Sequence, residues 1–338
     1  MKAAVFHGPR NISTEEVEIP RVGPLEILVR VKATGICGSD LHTYKLGIFP
    51  EWSKAIPEGL LMGHEFAGDV VEIGPGVEEI NVGDRVTAVA VGALAEYVLV
   101  TPALLNFLVY KLPPEVSYEE AATVEPLATS LHATKLGAPA NGETVVVFGA
   151  GIIGLGIVQS LKAMGVDLKR LIVVDVSDFR LEVARKLGAT DVVNAGKVDP
   201  VEKITELVGT IPFMFQPQIL TPAVDVVYDA VGYIQDNPAP PAVEKALALV
   251  REYGRLVLVG AHEAPVTVYL QTVVLKQLKI CGSFAYLPDD ILEGIEYIRA
   301  GKMDRKSLVT HTFPLDKAKE AFETQLKTGE SVKVIFKT

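Results

Sequence analysis

The sequence predicts an α/β protein of two domains, a small and largely antiparallel β-barrel and a doubly wound parallel sheet. Three observations support this fold class. The chain has 338 residues, which at about 150 residues per domain favours two domains. Its first 100 residues contain short β-runs separated by glycine and proline, whereas residues 144–259 alternate between strand-like and helix-like segments. Such alternation is typical of a parallel sheet with helices on both faces.

The β-runs of the first domain are predicted at residues 3–5, 25–31, 66–73, 84–91 and 97–100. Ser117 and Glu120 have the spacing of a capping box, which begins a helix. Pro126 is expected to interrupt that helix and to begin a second one, which runs to about Leu136. Glu125 is then left at the junction of the two helices.

The second domain is predicted from strands at 144–148, 171–174, 192–193, 224–229 and 255–259, with helices at 152–164, 180–187, 200–208 and 242–250. The segments after residue 272 are interpreted as a return of the chain to the first domain. The predicted domains are therefore 1–126 with 273–338, and 127–272. Two stretches, 210–221 and 233–241, interrupt the α/β alternation, and the first could be a subunit contact, a flap or a buried loop.

Composition excludes several classes of protein. Hydrophobic residues make up 49% and charged residues 22% of the chain, which is typical of globular domains. The net charge of −10 disfavours nucleic acid and anionic membranes as partners. Residues 145–158, the longest uncharged apolar stretch, are too few to span a bilayer. Two cysteines, Cys37 and Cys281, exclude a disulfide framework and favour a reducing, cytoplasmic location.

A dinucleotide fingerprint follows the first strand of the second domain. Residues 149–154 read Gly-Ala-Gly-Ile-Ile-Gly, so that Gly149 permits a tight turn, Gly151 leaves room for a pyrophosphate and Gly154 lets helix and strand pack closely. Asp175, 21 residues after Gly154, ends the next strand, where a carboxylate accepts ribose hydroxyls and repels a 2′-phosphate. The pattern predicts NAD rather than NADP. A nucleotide-free turn and an adenosyl-binding methyltransferase are the alternatives.

A candidate metal site comprises Cys37, His64, Glu65 and Glu125. One thiolate, one imidazole and two carboxylates suit a zinc ion with three protein ligands and an open position. His64 and Glu65 are adjacent, so both can reach one ion only if the chain turns, as Gly63 would allow. Spacing alone does not distinguish this site from ordinary structural roles of these residues.

Five sequence words carry a resemblance to a known family. They are Gly-Ile-Cys-Gly-Ser-Asp-Leu-His at 35–42, Gly-His-Glu-Phe-Ala-Gly at 63–68, Val-Gly-Asp-Arg-Val at 82–86, Glu-Pro-Leu-Ala at 125–128 and the fingerprint at 149–154. In this order they closely resemble the zinc-dependent medium-chain alcohol dehydrogenases. The chain looks most like the polyol branch, which includes sorbitol, butanediol and threonine dehydrogenases. The resemblance extends over nearly the whole chain.

The resemblance implies a GroES-like catalytic domain and a Rossmann domain, with zinc and nicotinamide meeting in the cleft between them. It implies that Cys37 and His64 are zinc ligands, with Glu65 as a third ligand and Glu125 acting directly or through water. Asp40 would orient His64. Arg180 would lie near the adenosine ribose. The remaining predicted cofactor contacts are Ile152, Ile153, Val231 and Val259.

The implied activity is hydride transfer between NAD and a secondary alcohol, diol or polyol, or the corresponding ketone. Zinc would stabilise the substrate alkoxide, which expels hydride to nicotinamide. Ser39 could pass the alcohol proton to the cofactor ribose, and His42 could carry it on to water. Alternatives are a zinc-free quinone reductase on the same fold and a catalytically silent nucleotide-binding or crystallin-like protein.

The sequence departs from the family pattern in two places. Residues 87–96 run directly to Tyr97, so the cysteine-rich lobe that holds a second zinc in many relatives is absent, and one zinc per chain is expected. A homo-oligomer is expected, although the loss of this lobe leaves dimer and tetramer both open. Ala285 stands where sorbitol dehydrogenases carry an arginine, which favours a substrate with fewer hydroxyls than sorbitol. Residues 43–52, Leu94 and residues 284–286 are expected to form the substrate pocket, with Ile48, Phe49 and Trp52 adding apolar surface.

Overall fold

The computed structural model describes residues 1–47, 54–214, 216–233 and 241–338. The strands of these residues are β1 (Lys2–Gly8), β2 (Asn11–Glu16), β3 (Ile27–Gly35), β4 (Lys54–Ile56), β5 (Gly59–Leu61), β6 (Glu65–Ile73), β7 (Arg85–Ala88), β8 (Tyr97–Val100), β9 (Val109–Lys111), β10 (Thr144–Phe148), β11 (Arg170–Asp175), β12 (Asp191–Asn194), β13 (Thr210–Pro212), β14 (Leu220–Pro222), β15 (Val224–Asp229), β16 (Val250–Leu258), β17 (Lys279–Gly282), β18 (Val309–Pro314) and β19 (Lys333–Lys337). The helices are α1 (Gly38–Leu46), α2 (Tyr118–Ala121), α3 (Val124–Gly137), α4 (Ile152–Ala163), α5 (Asp178–Leu187), α6 (Pro200–Val208), α7 (Ala242–Leu249), α8 (Gln271–Lys276), α9 (Pro288–Arg299) and α10 (Ala318–Gln325). In the described ranges, no helix is both long and apolar enough to cross a membrane.

The chain forms two compact units, Met1–Ala128 with Leu287–Thr338, and Thr129–Tyr286. This division differs from the predicted one at residues 127–128, which lie in the first unit, and at residues 273–286. The latter residues lie in the second unit because strand β17 pairs in parallel with β16. The apolar segment before residue 283 therefore adds an edge strand to the parallel sheet before the chain returns to the first unit.

The first unit is built from two sheets. One has the strand order β18-β19-β3-β6-β7-β9, with β8 also paired to β3, and the other has the order β2-β1-β5-β4. The pairings are antiparallel apart from β18 with β19. Alternate residues of the long strands β3 and β6 enter a buried cluster that includes Ile27, Val29, Phe66 and Val70. The predicted, largely antiparallel β-structure is confirmed.

The second unit contains a six-stranded parallel sheet with the order β12-β11-β10-β15-β16-β17. The chain first moves outward from β10 to β12, then returns to the other side of β10 and continues to β17. Ligands of such sheets bind where the strand order reverses, at the carboxyl ends of the central strands. The predicted doubly wound sheet is confirmed, and its switch point lies between β10 and β15.

The helix break lies slightly before the predicted position. Ser117 Oγ accepts a hydrogen bond from the Glu120 N–H at 3.3 Å, and Glu120 Oε2 accepts one from the Ser117 N–H at 3.1 Å. Helix α2 therefore begins with the predicted capping box. However, α3 already begins at Val124, and Pro126 lies in its first turn. A proline is tolerated there because the first N–H groups of a helix have no intrahelical acceptor. Glu125 therefore lies in the first turn of α3.

The two interrupting stretches are described in part. Residues 210–212 and 220–222 form an antiparallel hairpin, β13 with β14, and Met214 next to it is 59% exposed. The hairpin is tied to the sheet because the Met214 N–H donates to Glu252 at 2.8 Å. Of 233–241, residues 234–240 lie outside the described residues, as do Ile48, Phe49 and Trp52 of the predicted pocket.

Candidate metal centre and cofactor site

Cys37 stands at the junction between β3 and α1. It is the N-cap residue of α1, and its own N–H donates to Asp40 Oδ2 at 2.9 Å. Asp40 Oδ1 accepts the Gly63 N–H at 3.1 Å. One buried carboxylate therefore connects the Cys37 backbone to the turn that carries His64. Its hydrogen bonds go to the backbone, and its influence on His64 is electrostatic.

The chain turns at Gly63, immediately before His64 and Glu65. Gly63 has a φ of 88°, and a Cβ there would lie 2.6 Å from Cγ of the buried Leu94. A side chain at this position would therefore be strained by its backbone conformation and by its neighbour. Glu65 begins β6. The turn lets these adjacent side chains approach the same point.

Ligand atoms of Cys37, His64 and Glu65 all lie within 4.8 Å of one another. Cys37 and His64 are half-buried, whereas Glu65 is fully buried. Oε1 of Glu65 has no hydrogen-bond partner among the described residues, and an orphaned buried oxygen is costly unless something binds it. Thiolate, imidazole and carboxylate are the donors that zinc accepts. The residues present therefore fit a zinc ion.

Glu125 is not a member of this three-residue group. It interacts electrostatically with His64, Glu65 and Lys333, so it borders the group. Burial, reinforced by the negative charge of Glu65, raises the pKa of Glu125 to about 7. Burial also raises the pKa of Asp40. These carboxyl groups resist ionisation while no cation is bound.

Two buried cations oppose this negative charge. Lys333 is 1% exposed and contacts Glu65 Oε2. Arg305 is fully buried, donates from Nε to Thr123 Oγ1 at 3.1 Å and interacts electrostatically with Glu65. The full acidic set of the centre is Cys37, Asp40, Glu65 and Glu125. When all four are ionised and His64 is neutral, the two cations leave an excess of two negative charges, which one divalent cation would balance.

The negative charge of the acidic groups also acts on His64. Burial opposes its protonation, yet Cys37, and then Asp40 and Glu125, raise its pKa well above the ordinary value. A positive imidazolium is thus favoured where a neutral ligand would be needed for a metal. Metal binding would release this proton.

Ser39 and His42, the predicted proton carriers, are both half-buried residues of α1. Their separation of three residues places them on the same face of the helix, with Cβ atoms about 5–6 Å apart. Because Cys37 caps that helix, the position of this pair relative to the candidate metal centre is fixed by one short element.

The three fingerprint glycines meet different surroundings. Gly149 has a φ of 95°, which suits the tight turn after β10. A Cβ on Gly154 would overlap the Gly149 carbonyl oxygen, so only glycine allows α4 to approach β10. Among the residues that the structure describes, the nearest atom to a Cβ on Gly151 would belong to the Arg180 side chain, at 4.0 Å. Space is therefore left above the N-terminus of α4, whose first two residues are Ile152 and Ile153. The N-terminus of a helix favours an anion.

Asp175 ends β11 beside this turn. Its Oδ2 accepts the Ala150 N–H at 2.7 Å, and its Oδ1 accepts the Ser177 N–H at 2.8 Å. Burial lowers the pKa of Arg180, whereas the Asp175 charge opposes that shift. The predicted acidic residue and the predicted arginine thus lie together beside the fingerprint.

Val231 and Val259 follow the carboxyl ends of β15 and β16. The Val231 N–H donates to Asp229 Oδ1 at 3.0 Å, and the Val259 N–H donates to the Asp229 carbonyl oxygen at 2.9 Å. A Cβ on Gly149 would lie 3.1 Å from Val231 Cγ2. Val231 therefore adjoins the fingerprint turn, and Asp229 organises both loops.

Sequence reasoning missed Lys333, Arg305 and Asp229. The signal for Lys333 was a lysine inside an apolar run, Val332 to Phe336, although a lysine in a strand is usually solvated. Asp229 ends a strand next to a predicted loop, as Asp175 does. No local pattern marks Arg305, because its partner Thr123 is 182 residues away.

Comparison with known proteins identifies the family. Residues 23–114 match the alcohol dehydrogenase GroES-like domain, and residues 153–300 match the zinc-binding dehydrogenase family. The chain is 32% identical to sorbitol dehydrogenase of Bacillus subtilis (strain 168), over 99% of this chain and 96% of that protein. A crystal structure of 2R,3R-butanediol dehydrogenase from Bacillus subtilis is 30% identical, with a TM-score of 0.83 over 100% of this chain and 99% of that one.

A third similar protein was solved with a bound nucleotide. It is an alcohol dehydrogenase (rspB) from Escherichia coli CFT073 complexed with the cofactor NADH, and it is 28% identical with a TM-score of 0.83 over 100% of this chain and 99% of that one. Family matches, curated relative and solved structures agree with the resemblance carried by the sequence words. The chain therefore belongs to the zinc-dependent medium-chain alcohol dehydrogenases, and to their polyol dehydrogenase branch.

Proposed function

We propose that the protein is a zinc- and NAD-dependent dehydrogenase that transfers hydride between NAD and a secondary alcohol, diol or polyol, or the corresponding ketone. The observation that carries this proposal is the centre formed by Cys37, His64 and Glu65. It combines zinc-type donors with a buried oxygen that has no hydrogen-bond partner among the described residues. A buried oxygen of this kind is costly unless a hydrogen-bond donor or a cation binds it.

Cys37, His64 and Glu65 would hold one zinc ion per chain. Glu125, at the border of the centre, would act on the ion directly or through water. When bound, zinc would act as a Lewis acid on the alcohol oxygen, and NAD would accept the hydride. Asp40 holds the backbone of both ligand-bearing segments, so its role is to fix ligand positions. The first unit is accordingly assigned as the catalytic domain and the second as the cofactor domain.

Ser39 and His42 are assigned to proton transfer. A hydroxyl can accept and donate a proton in the same step, and a neutral imidazole has one nitrogen that donates and one that accepts. Their common face on α1 supports a path in which Ser39 receives the alcohol proton and His42 passes it to solvent. The half-buried state of both residues is consistent with a path that ends in water.

NAD is assigned as the cofactor, with NADP disfavoured. The glycines 149, 151 and 154 would bind the pyrophosphate, together with Ile152 and Ile153 at the start of α4. Asp175 would accept the ribose hydroxyls, while Arg180, Val231 and Val259 border the adenosine and the nicotinamide halves. The open space at Gly151 and the carboxylate beside it support this assignment.

Metal analysis of the purified protein tests the function. We expect close to one zinc per chain and NAD-linked alcohol oxidation, both lost in a Cys37→Ala/His64→Ala double variant. An Asp199→Ala variant, which removes only the exposed N-cap of α6, is a control that should retain both. A metal-free protein with full activity would support the quinone reductase instead, and a protein without any oxidoreductase activity would support the silent nucleotide-binding protein.

The substrate is proposed to be a small secondary alcohol or vicinal diol. Ala285 offers no multidentate donor for a polyol, and its neighbour Phe284 is 92% exposed. A site built for hydroxyls discriminates strongly, whereas an apolar site discriminates by about 1–3 kcal/mol per methylene. A short diol should therefore be favoured over a hexitol.

A homo-oligomer is proposed through the edge of the parallel sheet. Strand β17 ends the sheet, and among the described residues β16 is its one strand partner. Large apolar side chains are exposed in and close in sequence to β17, and they include Tyr269, Leu270, Val274, Leu275 and Ile280. An open strand with apolar neighbours is suited to pairing with a second copy. Light scattering should show a dimer or tetramer that Ile280→Lys dissociates.

A cytoplasmic location remains a prediction from the two cysteines.

A further inference from the structure

A buried lysine connects the two segments that carry the candidate metal ligands. The Lys333 ammonium group contacts Glu65 Oε2 and donates to the Ile36 carbonyl oxygen at 2.7 Å. Ile36 immediately precedes Cys37, and Lys333 itself lies on β19, two strands away from Glu65 in the sheet order. One cation thus holds the backbone beside the first ligand and the side chain of the third.

The two carboxylate oxygens of Glu65 have different surroundings. Oε2 is held by the ammonium group, whereas Oε1 is buried and has no hydrogen-bond partner among the residues described. A carboxylate can bind a metal through one oxygen or through both. Here one oxygen is already engaged by a cation that is itself buried.

Gly35 provides the space for this ion pair. It lies opposite Glu65 in the pairing of β3 with β6. A Cβ at position 35 would fall on Glu65 Oε2 and lie 2.7 Å from Lys333 Cε. Glycine is therefore required here by the close approach of two side chains, since its own backbone conformation is ordinary.

We propose that Lys333 is a positioning residue that restricts Glu65 to binding the metal through the single oxygen Oε1. The proposal rests on the zinc site proposed above. A catalytic zinc site has three protein ligands and keeps a fourth position open. If Glu65 bound through both oxygens, its second oxygen would compete for that position. Lys333 therefore keeps a coordination position available for the substrate oxygen.

Cobalt substitution provides a readout that does not depend on turnover. The visible absorption of Co²⁺ weakens as its coordination number rises, so an added oxygen ligand is seen directly. Lys333→Met should still bind one Co²⁺ per chain, but with weaker visible absorption. Its zinc form should lose about 10–100-fold in kcat/KM, the usual effect of removing a residue that supports a ligand. Gly35→Ala should change the spectrum in the same direction while leaving every charge in place.

Lys276→Met is the matched control. Lys276 is also a buried lysine, 7% exposed, and its ammonium donates to the carbonyl oxygens of Leu247, Ala248 and Val250 at 2.8–2.9 Å. It belongs to the second unit, and its partners lie at the end of α7 and at the first residue of β16. The variant loses a comparable buried cation, so the cobalt spectrum should remain that of the unaltered protein.

Cobalt spectra of Lys333→Met and Gly35→Ala that both equal the wild-type spectrum would overturn the proposal. Zinc-edge X-ray absorption of the wild-type protein gives a test that does not depend on the folding of any variant. Four-coordinate zinc is expected, and two Glu65 oxygens on the metal would refute the role of Lys333. A wild-type protein that binds neither zinc nor cobalt would instead overturn the proposed function itself.

Discussion

Asp175 is predicted to decide between NAD and NADP, and its contacts allow the effect of Asp175→Asn to be worked out. The carboxylate uses both oxygens, one for the Ala150 N–H and one for the Ser177 N–H. An amide has the same shape but a single acceptor oxygen, so one of these N–H groups would face an NH₂ group. The lost bond to a charged acceptor should lower the free energy of unfolding by about 1.5–3 kcal/mol.

The cofactor effect is electrostatic and separate from this loss. Two unit charges about 4 Å apart repel by about 1 kcal/mol in water and several-fold more near a protein surface. Arg180 beside Asp175 offsets part of the repulsion that a 2′-phosphate would meet. A net cost of about 1.4–3 kcal/mol corresponds to a preference for NAD of about one to two orders of magnitude in kcat/KM.

The assay is the ratio of kcat/KM for NAD to kcat/KM for NADP, measured on the same preparation. The ratio cancels any general damage, because both cofactors meet the same folded fraction. Asp175→Asn should lower it about 10–100-fold. Adding Arg180→Met should restore part of it, since the guanidinium is then the cation left to bind a 2′-phosphate. An unchanged ratio in a destabilised Asp175→Asn protein would show that the carboxylate serves the backbone only, and would refute this reasoning.

Three further predictions concern the proton path, the metal and the substrate. His42→Ala should slow alcohol oxidation most below about pH 7 and be partly rescued by imidazole; an unaltered pH profile would remove His42 from the path. Since the pKa of Glu125 in the metal-free protein is raised to about 7, its contribution to stability should fall as pH rises from about 4.5 to 7, and thermal melts of Glu125→Gln without metal should lack this fall. A panel of NAD-linked oxidations should give higher kcat/KM for 2,3-butanediol than for sorbitol or xylitol; a preference for hexitols would contradict the role given to Ala285.

The elements that the sequence predicts best are those with a local cause. The strand, turn and helix around Gly149 follow from glycine spacing and an apolar run, and β10 has the bounds predicted for it. The capping box of Ser117 and Glu120 is equally local. The turn at Gly63 could be anticipated because two adjacent candidate ligands require one. In each case the residues that set the structure lie within a few positions of one another.

The differences arise where distant residues decide. Pro126 suggests a helix start, but α3 begins two residues earlier, at Val124, because a proline in the first turn of a helix loses no hydrogen bond. The unit boundary moves beyond residue 286 because β17 finds its partner in β16, and parallel pairing cannot be inferred from a short apolar run.

Lys333 illustrates the same limit at the candidate metal centre. Residues 333–336 are all buried, so both faces of β19 are covered. The strand therefore lacks the alternation of polar and apolar residues that would indicate which way the lysine points. Its partner Glu65 is 268 residues away in the chain, and the two meet only because β3 lies between β19 and β6. The strand order thus decides which basic side chain is buried beside the acidic groups of the centre. The metal ligands themselves can be recognised from the sequence words around Cys37 and His64.

The placement of the centre links folding to metal binding. Asp40 joins the Cys37 and Gly63 backbones, and Lys333 joins Ile36 to Glu65, so the ligand-bearing segments are held by contacts that do not involve the metal. These contacts reduce the conformational entropy that binding must overcome. However, among the described residues they also bring four acidic groups together against two buried cations, and this favours the protonated forms of His64 and Glu125. Zinc binding would have to displace those protons, so we expect the affinity for zinc to increase with pH.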